Sequence, residues 1–374
     1  MANVTTADCV VIGAGFAGAA TAYHLTRNGA RNVVVLEQEA VPGVHSSGRN
    51  ASMVRQVVAD AALAKLTEEG AAFLRSPPPD FPEPPRFEQN GSMLLGSGEG
   101  WRRLARDAEM ARGLGMSVEC WTRDRAVAYV PALEGAEFEG AVWCATDGVV
   151  DIHALLTGYL KGARAAGAEI RYRSRVRSID VHAGRVAGVA TDDGTIKTDR
   201  IVDAAGPWAL TVAGLAGAVE APLQPCRRHL YVTSPMTWVD RKWPFVWDVT
   251  HEFYFRPDSG GLLLCPCDQE EMAPCDAQTD EAVAEILFEK IRRYLPALSD
   301  VAIRKHWAGL RTLSADGRFI IGPDPKVKGF FWVAGLGGHG VTTSSAVGAL
   351  AARIILGSGS AAAAESFSPA RFAA

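Results

Sequence analysis

The pattern Gly13-x-Gly15-x-x-Gly18 constrains this chain more than any other feature. It follows the apolar run Asp8 to Ile12 and opens an Ala-rich segment that reads as a helix to about Asn28, stopped by Gly29. A second apolar run, Arg31 to Glu37, completes a strand–helix–strand unit. Uninterrupted apolar runs need cover on both faces, the mark of parallel strands. In such a unit Gly13 makes the tight turn, Gly15 lets backbone approach a pyrophosphate, and Gly18 lets helix pack on strand. The helix N-terminus offers N–H groups and positive dipole to the phosphates. Glu37 is placed to accept hydrogen bonds from ribose hydroxyls. The pattern predicts dinucleotide binding.

A chain of 374 residues exceeds the ~250–300 at which single cores stop growing, so two domains are expected. Further dinucleotide-type segments recur in the middle and at the end. The run Ile201 to Gly206 reads as a strand ending in glycine, and so does Phe330 to Gly335, which leads through Gly337, Gly338 and Gly340 into a helix from Thr342 to Leu356. Between them lie 87–96, 226–235, 243–256 and 261–266, strand-like and rich in aromatic and β-branched residues. Helical pieces are expected within 99–130, over 148–166 and over 278–295. Three strands, 168–180, 185–191 and 195–203, are joined at Gly184 and Gly194. The Pro-rich stretch Pro77 to Pro85 reads as a linker. The fold class is mixed α/β. A Rossmann-like domain (1–80, 145–222 and 305–374) interleaves with an antiparallel-sheet domain (81–144 and 223–304).

Composition excludes several classes. With 48% hydrophobic and 21% charged residues the chain is neither disordered nor fibrous, and a net charge of −4 gives no basic footprint for nucleic acid. The seven cysteines, odd in number, read as reduced thiols of a cytoplasmic protein, since Met1 to Asp8 lacks a basic leader. Cys265, Cys267 and Cys275 fit no zinc spacing and are read as small buried hydrophobes, so no metal is expected. No apolar run reaches the ~20 residues of a membrane span. Peripheral membrane contact stays open.

The loop His45 to Ala51 adds small hydroxyls and Arg49 just after the second strand, suited to lining a pyrophosphate and a ring edge. Gly13 to Gly18, Glu37, this loop, Ala204 to Trp208 and Gly335 to Gly340 occur in one order along the chain. Together they resemble the D-amino-acid oxidase family of flavoproteins over nearly the whole length. Leu223 to Arg228, Phe253 to Asp258 and Trp307 to Arg311 are most similar to bacterial D-arginine-type dehydrogenases. The resemblance implies a Rossmann-like FAD domain and a substrate sheet over the flavin ring. It implies cofactor contacts from Gly13, Gly15, Phe16, Ala17, Gly18, Glu37 and Gln38. Further contacts are implied from Ser46, Ser47, Arg49, Asn50, Ala51 and Ser52, from Val176, Ala205, Gly206 and Trp208, and from Arg311, Gly337, Gly338, Gly340, Val341 and Thr342.

It also implies that Arg311 pairs with a substrate carboxylate in a bidentate fork, that Arg228 and Tyr254 assist, and that the Gly338 carbonyl holds the amine. Arg227 is expected on the opposite face of its strand. Met53, Val58, Ser92, Phe245, Trp247, His339 and Thr342 are expected around the substrate, His339 as a packing residue rather than a base. Arginine-preferring relatives carry a glutamate where this chain has Ser92, while Phe245 and Trp247 are bulkier than their counterparts. The implied activity is therefore oxidative deamination of a neutral or apolar D-amino acid to a 2-oxo acid and ammonia, by hydride transfer from Cα to flavin N5. Secondary-amine oxidation and an acidic D-amino acid remain as alternatives. Arg311 to Asp316 contains no cysteine, so FAD is expected to be non-covalent. The electron acceptor is open among oxygen, a quinone and another carrier.

Overall fold

The computed structural model describes residues 4–358 and 365–373. Six strands form the central sheet, in the order Glu169–Arg171, Val33–Leu36, Cys9–Ile12, Ile201–Asp203, Phe330–Ala334 and Ile320–Pro323. The first five run parallel and the last is antiparallel. Alternation along these strands explains why both faces are apolar. Cys9, Val11, Val33 and Val35 pack with the helix side of the core, and Val10, Ile12, Val34 and Leu36 with the other side. The helix face is covered by Phe16–Arg27 and Gly340–Ile355, which lie on each other, with Ala61–Arg75 and Ile152–Ala165 beside them. The opposite face meets Ala209–Ala216 and a four-stranded sheet of Val4–Thr6, Gly194–Lys197, Arg185–Thr191 and Val176–His182.

A second large sheet is nearly all antiparallel. Leu223–Thr233 pairs along its length with Ile303–Ser314, and then with Gly261–Cys265. The sheet continues through Phe253–Asp258, Phe245–Asp248, Ser92–Gly96, Gly140–Cys144 and Val118–Thr122. Only Phe245–Asp248 against Ser92–Gly96 is parallel among these pairs. A small sheet of Met53–Val54, Gly148–Val150 and Phe87–Glu88 lies apart from it.

Several elements differ from the sequence reading. The strand expected over 87–96 breaks at Gly91, which takes φ +81°, so its halves enter different sheets. The helical region 99–130 contains the strand Val118–Thr122, whose Val118 and Trp121 are buried. The helix expected from 148 starts at Ile152, behind the strand Gly148–Val150, because the Asp151 side chain caps it by accepting from His153 N and Ala154 N. The strand Ile303–Ser314 crosses the boundary drawn at 304/305 and belongs wholly to the large antiparallel sheet. Among the described residues no helix is long and apolar enough to cross a membrane.

Candidate active site

A cleft of about 420 Å³ runs from the Gly13–Gly18 turn to the face of the large sheet. At one end, geometry makes glycine obligatory. Gly13 takes φ +102°, and a Cβ on Gly18 would stand 1.9 Å from the Gly13 carbonyl oxygen. The first-turn amides of Phe16–Arg27 have no intrahelical acceptors. Phe16 N donates to Ser47 Oγ at 2.9 Å, which fastens the His45–Ala51 loop over the helix end. Glu37 lines the cleft and accepts from Ala14 N and Glu39 N, each at 2.9 Å, so it also braces the glycine turn. Burial raises its pKa, opposed by those two amides.

Most expected cofactor residues line this cleft: Gly13, Gly15, Phe16, Ala17, Glu37 and Gln38, then Ser46 to Ser52 apart from Gly48, then Val176, Ala205, Gly206 and Trp208. Gly337, Gly338, Gly340 and Val341 line its far end with Arg311. Gly18 and Thr342 do not line it. Gly18 is consumed by helix–strand packing, and buried Thr342 accepts from Arg55 N at 3.0 Å. Arg49 lines the cleft, but its guanidinium turns to Asp276 at 2.6 Å and the Ala277 carbonyl at 3.1 Å. Among the described residues no cysteine lines the cleft.

The substrate end is built by strand register. Cys226 lies opposite Arg311, so Arg228, two residues on, shares its face and is the diagonal neighbour of Arg311. Tyr254 lies opposite Cys265 and Trp247 opposite Tyr254, the two rings 5.2 Å apart. Arg228, Arg311, Tyr254, Trp247 and Met53 all line the cleft. Arg227 points the other way and pairs with Glu270 and Asp280. Arg311 donates to Gln269 Oε1 at 2.8 Å, while its buried Nε has no partner among the described residues. A Cβ on Gly338 would stand 3.4 Å from Arg311 Nη1, which puts this turn against the guanidinium. Burial lowers the Arg311 pKa, and the Arg228 charge adds to this. Burial also raises the Tyr254 hydroxyl well above its ordinary value.

Val58, Ser92, Phe245 and His339 fall outside the cleft. Val58 and Phe245 are core residues, and Ser92, fully buried, donates to Asp147 Oδ2 at 2.6 Å. The argument for a neutral side chain, which rested on Ser92, Met53, Val58, Phe245 and Trp247, therefore loses Ser92, Val58 and Phe245 to packing and keeps Met53 and Trp247 in the cleft. His339 precedes the last helix and lies beside Phe319. Burial, then the Arg55 and Arg311 charges, push its pKa down to about 3, so it is a neutral ring.

Three groups were missed by the sequence reading. Cys265 and Cys267 were read as buried hydrophobes, yet Cys265 Sγ lies 4.0 Å from Arg228 Nη1 and accepts from Cys267 N at 3.4 Å. Burial opposes its ionisation, but the Cys267 hydrogen bond and the Arg228 charge bring it down to about 6. Asp268 pins Arg228 by accepting from its Nε at 2.6 Å through the main-chain carbonyl, and its carboxylate holds His229 Nδ1 at 2.7 Å. Arg55 lies 4.3 Å over the Trp247 ring. Its signal in the sequence was the alternation Met53, Val54, Arg55.

Residues 8–354 match the family model described as FAD dependent oxidoreductase, and the chain belongs to that family. It is 27% identical over 363 residues to human dimethylglycine dehydrogenase, covering 91% of this chain and 42% of that protein. It is 25% identical over 351 residues to 4-methylaminobutanoate oxidase (formaldehyde-forming) of Paenarthrobacter nicotinovorans, with 91% and 42% covered. The chain thus spans less than half the length of these two relatives. The structure of L-proline dehydrogenase from P. horikoshii superposes with a TM-score of 0.90 at 24% identity, covering 99% of both chains. FAD is the cofactor of the family, and the cleft fits it: a glycine turn and helix end for the pyrophosphate, Glu37 for the ribose, and room up to Arg311 for the ring.

Proposed function

We propose that the protein oxidises the Cα–N bond of an amino acid whose carboxylate is held by Arg311, with Arg228 and Tyr254 beside it. One observation carries this reading. Two guanidinium groups on adjacent strands share one face of the sheet and both line the cleft that begins at the dinucleotide turn. In this reading the six-stranded sheet carries the cofactor and the large antiparallel sheet carries the substrate.

Arg311 and Gly338 are neighbours, and in an amino acid the carboxylate and amine share one carbon. A carboxylate on Arg311 therefore brings the amine to the Gly338 carbonyl, which accepts its hydrogen bond. The first-turn amides of Gly340–Ile355, free of intrahelical acceptors, point their partial positive charge at the same place. Flavin bound in the cleft would supply the two-electron acceptor for the Cα hydride. The substrate leaves as an imine, which water converts to a 2-oxo acid and ammonia. Only the neutral amine can release its lone pair into that imine. His339 lies outside the cleft and, with its pKa pushed down to about 3, is a poor base, so orientation rather than proton transfer is the task of these side chains.

The substrate is first read as a D-amino acid. A second reading, a secondary amine such as an N-methyl amino acid, is favoured by the names of the dimethylglycine and 4-methylaminobutanoate relatives. The visible spectrum of the purified holoprotein tests the class. Anaerobic addition of mixed D-amino acids bleaches the flavin bands, and N-methyl amino acids added alone separate the two readings. Arg311→Met raises KM more than tenfold, since a charged hydrogen bond contributes about 1.5–3 kcal/mol. A holoprotein bleached by neither panel removes the proposal.

A further inference from the structure

Resting on the carboxylate role of Arg228 read above, we infer that His229 is a positioning residue for the substrate site, locking the segment that sets the direction of the Arg228 guanidinium. Arg228 and Leu230 line the cleft, so alternation turns His229 to the other side of the strand, where it is fully buried. Along one edge, Leu223–Thr233 pairs with Gly261–Cys265 and then with Glu270–Glu271. Residues 266–269 lie between those two pairings, beside Arg228 and His229, and they leave the ladder. Pro266 has no N–H to give, and Cys267 takes φ +55°. His229 N donates instead to a side chain of this segment, Asp268 Oδ1, at 3.0 Å.

The imidazole holds the segment at both ends. Burial opposes ionisation of Asp268, but the two bonds from His229 bring its pKa below the ordinary carboxylate value. An ionised carboxylate only accepts, so His229 Nδ1, 2.7 Å from Asp268 Oδ2, carries the proton. Nε2 then keeps its lone pair and accepts from Asp280 N at 2.9 Å. At the near end the main-chain carbonyl of Asp268 accepts from Arg228 Nε at 2.6 Å, and Gln269 Oε1 accepts from Arg311 Nη2 at 2.8 Å. Consecutive residues thus hold both substrate arginines, and the plane of the Arg228 guanidinium is set before a carboxylate arrives. The two ends differ in what else secures them. Arg227 also ties the far end, through the Gln278 carbonyl and the Asp280 carboxylate. The Asp268 carboxylate has its bonds from His229, so the Nδ1 bond is the one that reaches Arg228.

Two substitutions divide the ring's bonds. His229→Asn keeps an N–H where Nδ1 stands and loses the Nε2 acceptor, and His229→Gln does the reverse. Both are expected to lower Tm. Propanoate titrated into the holoprotein, read by flavin absorbance, reports the carboxylate site without turnover, with propanamide as the uncharged control. His229→Gln is expected to raise the propanoate Kd about tenfold, and His229→Asn no more than about threefold. KM for D-alanine or sarcosine, whichever bleaches the flavin, follows the same order, while kcat changes less. Asp268→Asn keeps the main-chain carbonyl but removes the charge facing Nδ1, and it moves the Kd in the direction of His229→Gln. Retained flavin absorbance shows that each variant is folded. An unchanged propanoate Kd in Arg228→Met overturns the carboxylate role of Arg228, and this inference with it. Where Arg228→Met does raise the Kd, equal shifts in the two His229 variants, or no shift in His229→Gln, overturn the role of His229 alone.

Discussion

At the scale of single residues, close approach and burial decide more than identity. Gly18→Ala drives a methyl into the Gly13 carbonyl, so it should cost about 1–3 kcal/mol or more and release flavin, read by Tm and by the ratio of flavin to protein absorbance. Asp147 gives a pH signature. Burial raises its pKa from 3.8 to about 6, against hydrogen bonds from Ser92 and Gln56. Between those values the folded protein keeps a proton that the unfolded chain has lost, so stability falls as pH rises through the window. Asp147→Asn should flatten that fall, worth about 3 kcal/mol across it, in Tm measured from pH 4 to 7. The placements legible in the sequence were those written in spacing: Gly13, Gly15 and Glu37 at the cleft, Gly18 in helix–strand packing and, through resemblance, Arg311 at the cleft. Ser92, Phe245 and Val58 were misplaced because a single residue's direction depends on partners far along the chain, here Asp147 for Ser92. Arg55 was missed because an arginine pairs or stays free only in three dimensions.

At the scale of elements, period-two alternation does the sorting. It separates Arg228 from Arg227 although they are adjacent: one reaches the cleft, and the other ties the strand to Glu270, Asp280 and the Gln278 carbonyl. Arg227→Ala should therefore lower Tm, because it leaves two carboxylates unpaired, and change KM far less than Arg228→Ala does. A thermal melt beside steady-state kinetics distinguishes them. The strand–helix–strand opening and the closing Phe330–Ala334 strand were readable because their apolar runs are continuous. The short strands Met53–Val54, Gly148–Val150 and Val118–Thr122 were not, since none of them holds more than two apolar residues in a row. Gly91 shows the same effect, turning one apparent strand into two by a single left-handed residue.

At the scale of the molecule, the cleft collects residues from 12 to 341. Flavin should leave on acid precipitation, because no thiol lines the cleft among the described residues; flavin pelleting with the protein would contradict that. Phe330–Ala334 lies directly beside Ile201–Asp203, and the last helix crosses the first so closely that a Cβ on Gly348 would stand 2.5 Å from the Ala20 carbonyl carbon. Gly348→Ala should accordingly weaken flavin retention without touching the cleft. That contact also sets a timetable. A nascent chain has made its dinucleotide turn long before the ribosome delivers the helix that backs it. Loading therefore waits until Gly340–Ile355 has been made and packed on Phe16–Arg27.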